Sequence, residues 1–149
     1  MAGLGLRRMQ EQSLSQDEGV NFELNPALAN AELNVLFSAG WPAWQTAPNT
    51  SDWQGVLQHS LAYVCAFEGD RLIGFVNVAW DGRDHAFLLD PRVHPDHRHR
   101  GIGSELVRLA ADAARAAGCE WLHVDYEADL APFYERCGFV STEAGLIRL

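Results

Sequence analysis

The chain has 149 residues, 48% of them hydrophobic, and a formal net charge of −9 at pH 7. That length suits one domain around one sizeable core, and the acidic balance argues against nucleic acid as a partner. No apolar run is long enough to span a bilayer and the first ten residues lack an apolar signal core, so neither a membrane nor a secretory leader is expected, and the cytoplasm is the expected compartment.

Residues 1–19 are polar, glycine-containing and aperiodic, and read as a flexible lead-in to a single domain over 20–149. Val20 to Leu24 suits a short strand. Pro26 to Phe37 predicts a helix with Leu28, Leu33, Leu36 and Phe37 as a partial apolar stripe, and Gly40-Trp41-Pro42 breaks it. Ser51 or Asp52 can cap a second helix running to about His59. The aromatic-rich stretch Trp41 to Trp53 packs under these two helices or forms a wall of a binding site. Leu61 to Phe67 and Leu72 to Trp80 read as hairpin strands around Glu68-Gly69-Asp70. Asp81-Gly82 then turns the chain into a third strand, His85 to Val93, in which Pro91 removes a ladder donor and predicts a bulge or an edge. Ile102 to about Ala117 is a strongly amphipathic helix, with Leu106, Leu109, Ala110 and Ala113 on its apolar side and Gly118 as its stop. Trp121 to Tyr126 is a strand with Leu122 and Val124 on one face and His123 and Asp125 on the other. Pro132 starts a short helix, and Phe139 to Ser141 with Leu146 to Leu149 can form a last hairpin. The order predicts an α/β (α+β) domain: a mixed, mainly antiparallel sheet with helices packed on it.

Between the third strand and the amphipathic helix lies Val93-His94-Pro95-Asp96-His97-Arg98-His99-Arg100-Gly101-Ile102-Gly103-Ser104. A strand, a basic loop, two glycines and a helix N-terminus together make a site for a pyrophosphate: glycines admit the anion and free N–H groups point at it. Arg92, Arg98 and Arg100 concentrate positive charge here, in a chain whose eleven cationic residues are all arginine. No Lys-Ser/Thr follows the second glycine, so this is not a nucleotide P-loop, and the spacing is not that of a dinucleotide fingerprint. His94, His97 and His99 sit among these arginines, which would repel a metal cation, so no metal is expected. Cys65, Cys119 and Cys137 are odd in number, lack metal spacing and read as free thiols.

Arg98-x-x-Gly101-x-Gly103 resembles the acyl-CoA-binding motif of the GNAT superfamily of N-acetyltransferases, and Phe133-Tyr134-Glu135-Arg136-Cys137-Gly138-Phe139 resembles that family's C-terminal signature. The resemblance covers residue 61 onwards well and the first sixty only loosely. It implies a sheet splayed between the strands before and after the main helix, with acetyl-CoA as cosubstrate. His99, Arg100, Gly101, Ile102, Gly103 and Ser104 would cradle the pyrophosphate, helped by Arg98. The backbone of Pro91, Arg92 and Val93 would pair with pantetheine. Tyr134 would stabilise the departing thiolate as acetyl passes to an amine. The strand position where relatives often carry a base is Phe87 here, and Leu89 points the same way; neither takes a proton. His85, Asp125 and Glu127 are the substitutes. For His85 a solvated hairpin residue is the competing reading, and for the two carboxylates helix capping or charge balance is. Carboxylates at the acceptor mouth would favour a cationic amine. The missing base also supports a rival reading, a non-catalytic acyl-CoA-binding module. A homodimer is compatible with the resemblance.

Overall fold

Alternation along the central strands sends apolar side chains to both faces of one sheet, and each face acquires its own layer of helices. In this computed structural model, which describes residues 13–17, 19–40 and 50–149, the strands are β1 (Ser13–Asp17), β2 (Val20–Leu24), β3 (Ala62–Glu68), β4 (Arg71–Trp80), β5 (His85–Val93) and β6 (Trp121–Val124). The helices are α1 (Asn30–Ser38), α2 (Gln54–His59), α3 (Ile102–Ala116) and α4 (Ala131–Arg136). The sheet order follows the chain from β1 to β6. Every neighbouring pair is antiparallel except β5–β6, which is parallel because α3 crosses over between them. The expected mixed, mainly antiparallel sheet with helices on both faces is what forms. Among the described residues no helix is long and apolar enough to cross a membrane.

On one face, Phe22, Val64, Ile73, Val76 and Leu88 meet Ile102, Leu106 and Ala110 of α3 and Tyr134 of α4. On the other, Cys65, Leu72 and Phe75 meet Leu33 and Leu36 of α1 and Trp53 at the start of α2. Phe75 is fully buried, with the Trp53 and Phe37 rings 5.9 and 6.1 Å away. Phe75→Ala is therefore expected to cost about 3–5 kcal/mol in urea unfolding. A loss below about 1 kcal/mol, the level of an ordinary surface change, would mean that this second layer adds little to the fold.

Three elements differ from the sequence reading. Ser13–Asp17, taken with the lead-in, pairs antiparallel with β2 as an edge strand; its sequence SLSQD carries no apolar period to read. The first helix begins at Asn30 rather than Pro26, because the preceding segment is tied to β3. Asn25 exchanges bonds with the Tyr63 backbone, and the Tyr63 hydroxyl donates to the Pro26 carbonyl at 2.6 Å. The final hairpin is absent: residues 140–149 form no strand, and Val140, Leu146, Ile147 and Leu149 stand exposed. Trp53 is core, its indole N–H donating to Asn34. The rest of the aromatic stretch, Trp41 to Asn49, lies outside the described residues. The N-cap of α2 is Trp53 rather than Ser51 or Asp52, and Asp52, one residue earlier, accepts from the Gln54 N–H.

The predicted irregularity at Pro91 is a bulge. Asn77 opposes Leu89 and Phe75 opposes Arg92, so Asp90 and Pro91 share one place in the ladder, with Asp90 at φ 53°. The bulge coincides with the sheet's splay. β6 pairs with β5 only along His85–Leu88 and then ends, while β5 continues to Val93 along β4. Among the described residues, the outer edge of Leu89–Val93 thus has no strand beside it.

Candidate active site

β5 leaves the sheet through His94, a short 3-10 turn (Pro95–His97) and the arginine loop into α3. His99 at φ 62° and Gly101 at φ 77° bend the chain so that the N-terminus of α3 faces outward. The first helical bond runs from the Glu105 N–H to the Gly101 carbonyl, which leaves the N–H groups of Ile102, Gly103 and Ser104 without a helical acceptor. A Cβ on Gly103 would lie 3.4 Å from the Phe133 ring and 3.7 Å from Val93. α4 thus packs close over the start of α3, beside the free edge of β5, with room at 103 for little more than a methyl group. Unpaired N–H groups at the end of a strand with an open edge fit a pyrophosphate followed by an extended arm.

The three arginines have different fates. Arg98 is exposed, and its side chain makes no hydrogen bond or ion pair among the described residues, while its backbone N–H donates to the Pro95 carbonyl. Arg100 lies 3.3 Å from Glu68, whose other oxygen accepts from the buried His97 at 2.8 Å. These bonds, His97's foremost, hold the Glu68 carboxyl below its usual range and brace the loop against the β3–β4 hairpin. Arg92 stays close enough to Arg98 for the two charges to oppose each other, and its side chain is in addition tied to the fold. Its guanidinium donates to the Ala39 carbonyl at 2.6 Å, at the C-terminal end of α1, where a cation complements the exposed carbonyls. Its backbone, with that of Pro91 and Val93, remains on the free edge.

Tyr134 is buried on α4, stacked on Tyr126 at 4.7 Å with Phe133 and Phe139 edge-on at 4.9 and 5.8 Å. Burial above all, and the neighbouring Cys137 to a lesser degree, push the phenol's pKa up, so the hydroxyl stays a donor. The Cys137 thiol is also pushed up by burial, against a hydrogen bond with Ser104 that ties α4 to the start of α3.

His85, Phe87 and Leu89 of β5 project to the sheet face opposite α3, whereas Ala86 and Leu88 point into the core. His85 Nδ1 lies 2.8 Å from His123 Nε2, and the His123 ring stacks on Phe87 at 4.7 Å. Asp125 and Glu127 are exposed in the segment joining β6 to α4. Glu127 precedes a 3-10 turn without making a side-chain capping bond to it. Two further groups escaped the sequence reading. His123 carried only an alternation signal, and the β5–β6 register that brings it to His85 is a long-range fact. Asp90 sits at the bulge where the splay opens, and burial pushes its carboxyl up. Among the described residues no three His, Cys, Asp or Glu side chains gather as a metal site; His97, one of the loop histidines, is bonded to Glu68.

A family model described as the acetyltransferase (GNAT) family matches residues 30–139. Over 121 residues the chain is 31% identical to a mycothiol acetyltransferase of Frankia casuarinae, a match covering 76% of this chain and 34% of that protein. The chain thus spans about a third of that relative's length. In structure it is similar to a GNAT family acetyltransferase from Streptococcus pneumoniae, with a TM-score of 0.71 and 23% identity over 87% of this chain and 97% of that one. It is also similar to AAC(6')-Iy, solved with the bisubstrate analogue CoA-S-monomethyl-acetylneamine, with a TM-score of 0.68 and 20% identity over 87% and 97%. The two structural likenesses are likenesses of fold.

Proposed function

The chain belongs to the GNAT acetyltransferase family, and on that premise we propose that it transfers acetyl from acetyl-CoA to a primary amine of a small molecule or peptide. The observation that carries this reading is the coincidence at one place of the free β5 edge, the unpaired N–H groups of α3 and the Tyr134 hydroxyl's helix. The pyrophosphate rests on the N–H groups of His99 to Ser104, with the exposed Arg98 as the counter-charge and Arg100 held at the loop's base by Glu68. Pantetheine pairs with Pro91, Arg92 and Val93 through main-chain groups. The thioester then lies at the splay. An ammonium with a pKa of about 10.4 must lose a proton before it attacks; His85, Asp125 and Glu127 are the groups to take it, directly or through water. Asp125 and Glu127, both exposed, favour a cationic acceptor. As the C–N bond forms and the C–S bond breaks, Tyr134 donates to the sulfur.

Phe87 at the usual base position supports the second reading, a domain that binds acyl-CoA and regulates a partner without turnover. Thiol release from acetyl-CoA over a panel of amines and peptides, beside calorimetric binding of acetyl-CoA, separates the two. Acceptor-dependent thiol release is expected. Tight binding with no release on any acceptor would replace the enzyme by the binding module.

A further inference from the structure

The α1–α2 layer packs on β3 and β4 and leaves much of the same face of β5 and β6 uncovered. Among the described residues it leaves Phe87, Leu89 and Trp121 exposed by 40%, 42% and 57% on one continuous face. On that face His85 and His123 share a hydrogen bond of 2.8 Å, and Phe87 stacks on the second ring. Building on the acetyltransferase reading, we propose that this face is the acceptor site, that it takes a primary amine carried on a flat apolar body, and that His123 receives the amine's proton while His85 positions it.

The register favours His123 over His85. His123 is opposite Phe87, one residue before the last pair, Leu88 with Val124, after which β5 and β6 part. His85 is opposite Trp121, two residues farther from the splay, about 7 Å along the strand. The bond between the rings uses His123 Nε2 and His85 Nδ1. With the proton on His123 Nε2 donating to His85, the His123 Nδ1 lone pair is left to accept from the ammonium. The neutral amine attacks the acetyl carbon, C–N forms and C–S breaks. The nitrogen's second proton passes to the departing sulfur and completes the CoA thiol. The first proton leaves by transfer from His123 Nε2 to His85 Nδ1 and release from His85 Nε2 to solvent, so one proton reaches water per acetyl transferred. An imidazole pair thus does at 123 what Phe87 cannot do, and Phe87 fixes the plane of the ring that does it.

The same face argues the acceptor's body. Phe87, Leu89 and Trp121 offer apolar area that a purely aliphatic polyamine would leave wet, and an aromatic ring laid on Trp121 or Leu89 would bury it. The titratable groups around the pair are few. Asp81, in the turn before β5, accepts the His85 backbone N–H. Asp84 precedes His85 and is paired with Arg83. Glu120 precedes β6, Asp125 follows His123 by two residues, and Asp90 lies past Leu89 on β5.

The test compares 2-phenylethylamine with putrescine in thiol release from acetyl-CoA, from about pH 5 to about pH 9, the range that brackets imidazole titration. The expected kcat/KM is about tenfold or more higher for 2-phenylethylamine, and Trp121→Ala is expected to remove most of that preference through KM, with kcat kept. His123→Gln is expected to lower kcat/KM by about 10²–10³-fold and to abolish its acidic limb, while His85→Gln shifts the limb and costs less. Retention of the limb in His123→Gln, or its loss in Asp90→Asn instead, would overturn the role of His123. Equal rates for the two amines would overturn the apolar acceptor site. Calorimetry with acetyl-CoA separates the two layers: no binding defeats the acetyltransferase reading itself, and binding with no turnover of either amine defeats only the acceptor assignment.

Discussion

Gly103→Trp is expected to reduce acetyl-CoA binding below what calorimetry detects. A Cβ at 103 already touches the Phe133 ring at 3.4 Å, so an indole must either drive Phe133 off the start of α3 or turn outward into the space before the Ile102 and Ser104 N–H groups. Either way the cradle loses its shape. A charge-assisted hydrogen bond is worth about 1.5–3 kcal/mol; losing two weakens affinity by roughly 10²–10⁴-fold. Because the indole also disturbs α4, Arg98→Glu supplies an independent measure. The Arg98 side chain makes no hydrogen bond or ion pair among the described residues, and the charge it opposes is that of Arg92, so reversing the Arg98 charge breaks no side-chain bond of the protein's own, and the unfolding midpoint should not fall. A loss of affinity of about a hundredfold is expected, because two charges' worth of attraction to the pyrophosphate changes sign. Unchanged affinity in both variants would sink the assignment of this loop to the pyrophosphate.

What could be read in the chain was what is local. Gly101 announces its left-handed conformation by being glycine, α3 by its apolar stripe, and the β5 bulge by Pro91, whose missing N–H is a property of one residue. What could not be read depends on partners distant in sequence. The Arg92 guanidinium reaches the end of α1, 53 residues earlier, at the Ala39 carbonyl, so a charge that looks free in the sequence is tied to the fold. His123 meets His85 across 38 residues and only because β5 and β6 run parallel in that register. The C-terminal residues show the converse. Leu146 to Leu149 have strand composition, yet composition names no neighbour, and the segment stands exposed without a ladder. For β1 the ladder exists without the composition. The site is therefore a local loop whose chemistry is set by long-range pairings.

Tyr134→Phe is expected to lower kcat by about 10–100-fold, the worth of one charge-assisted hydrogen bond of about 1.5–3 kcal/mol, with the affinity for acetyl-CoA little changed. The substitution is clean. The ring keeps its stack on Tyr126 and its edge contacts with Phe133 and Phe139, so only the hydroxyl leaves. The phenol's pKa separates two roles for that hydroxyl. Moving a proton from a phenol of pKa about 10 to a thiolate of about 8.5 is uphill by roughly 2 kcal/mol in water, and burial raises the Tyr134 phenol further. The sign is clear: a raised pKa keeps the O–H in place throughout neutral and mildly alkaline pH, so the kcat ratio between the two proteins should stay flat over that range. It also makes full transfer harder and leaves hydrogen bonding to a developing thiolate as the main role. Acetyl thioesters with more acidic thiols distinguish the two quantitatively, because a leaving group that needs less stabilisation should narrow the gap between Tyr134 and its Phe variant. A gap that stays constant across leaving groups would mean that the hydroxyl acts elsewhere than on the departing sulfur, and turnover undiminished in Tyr134→Phe would mean that the sulfur departs without it.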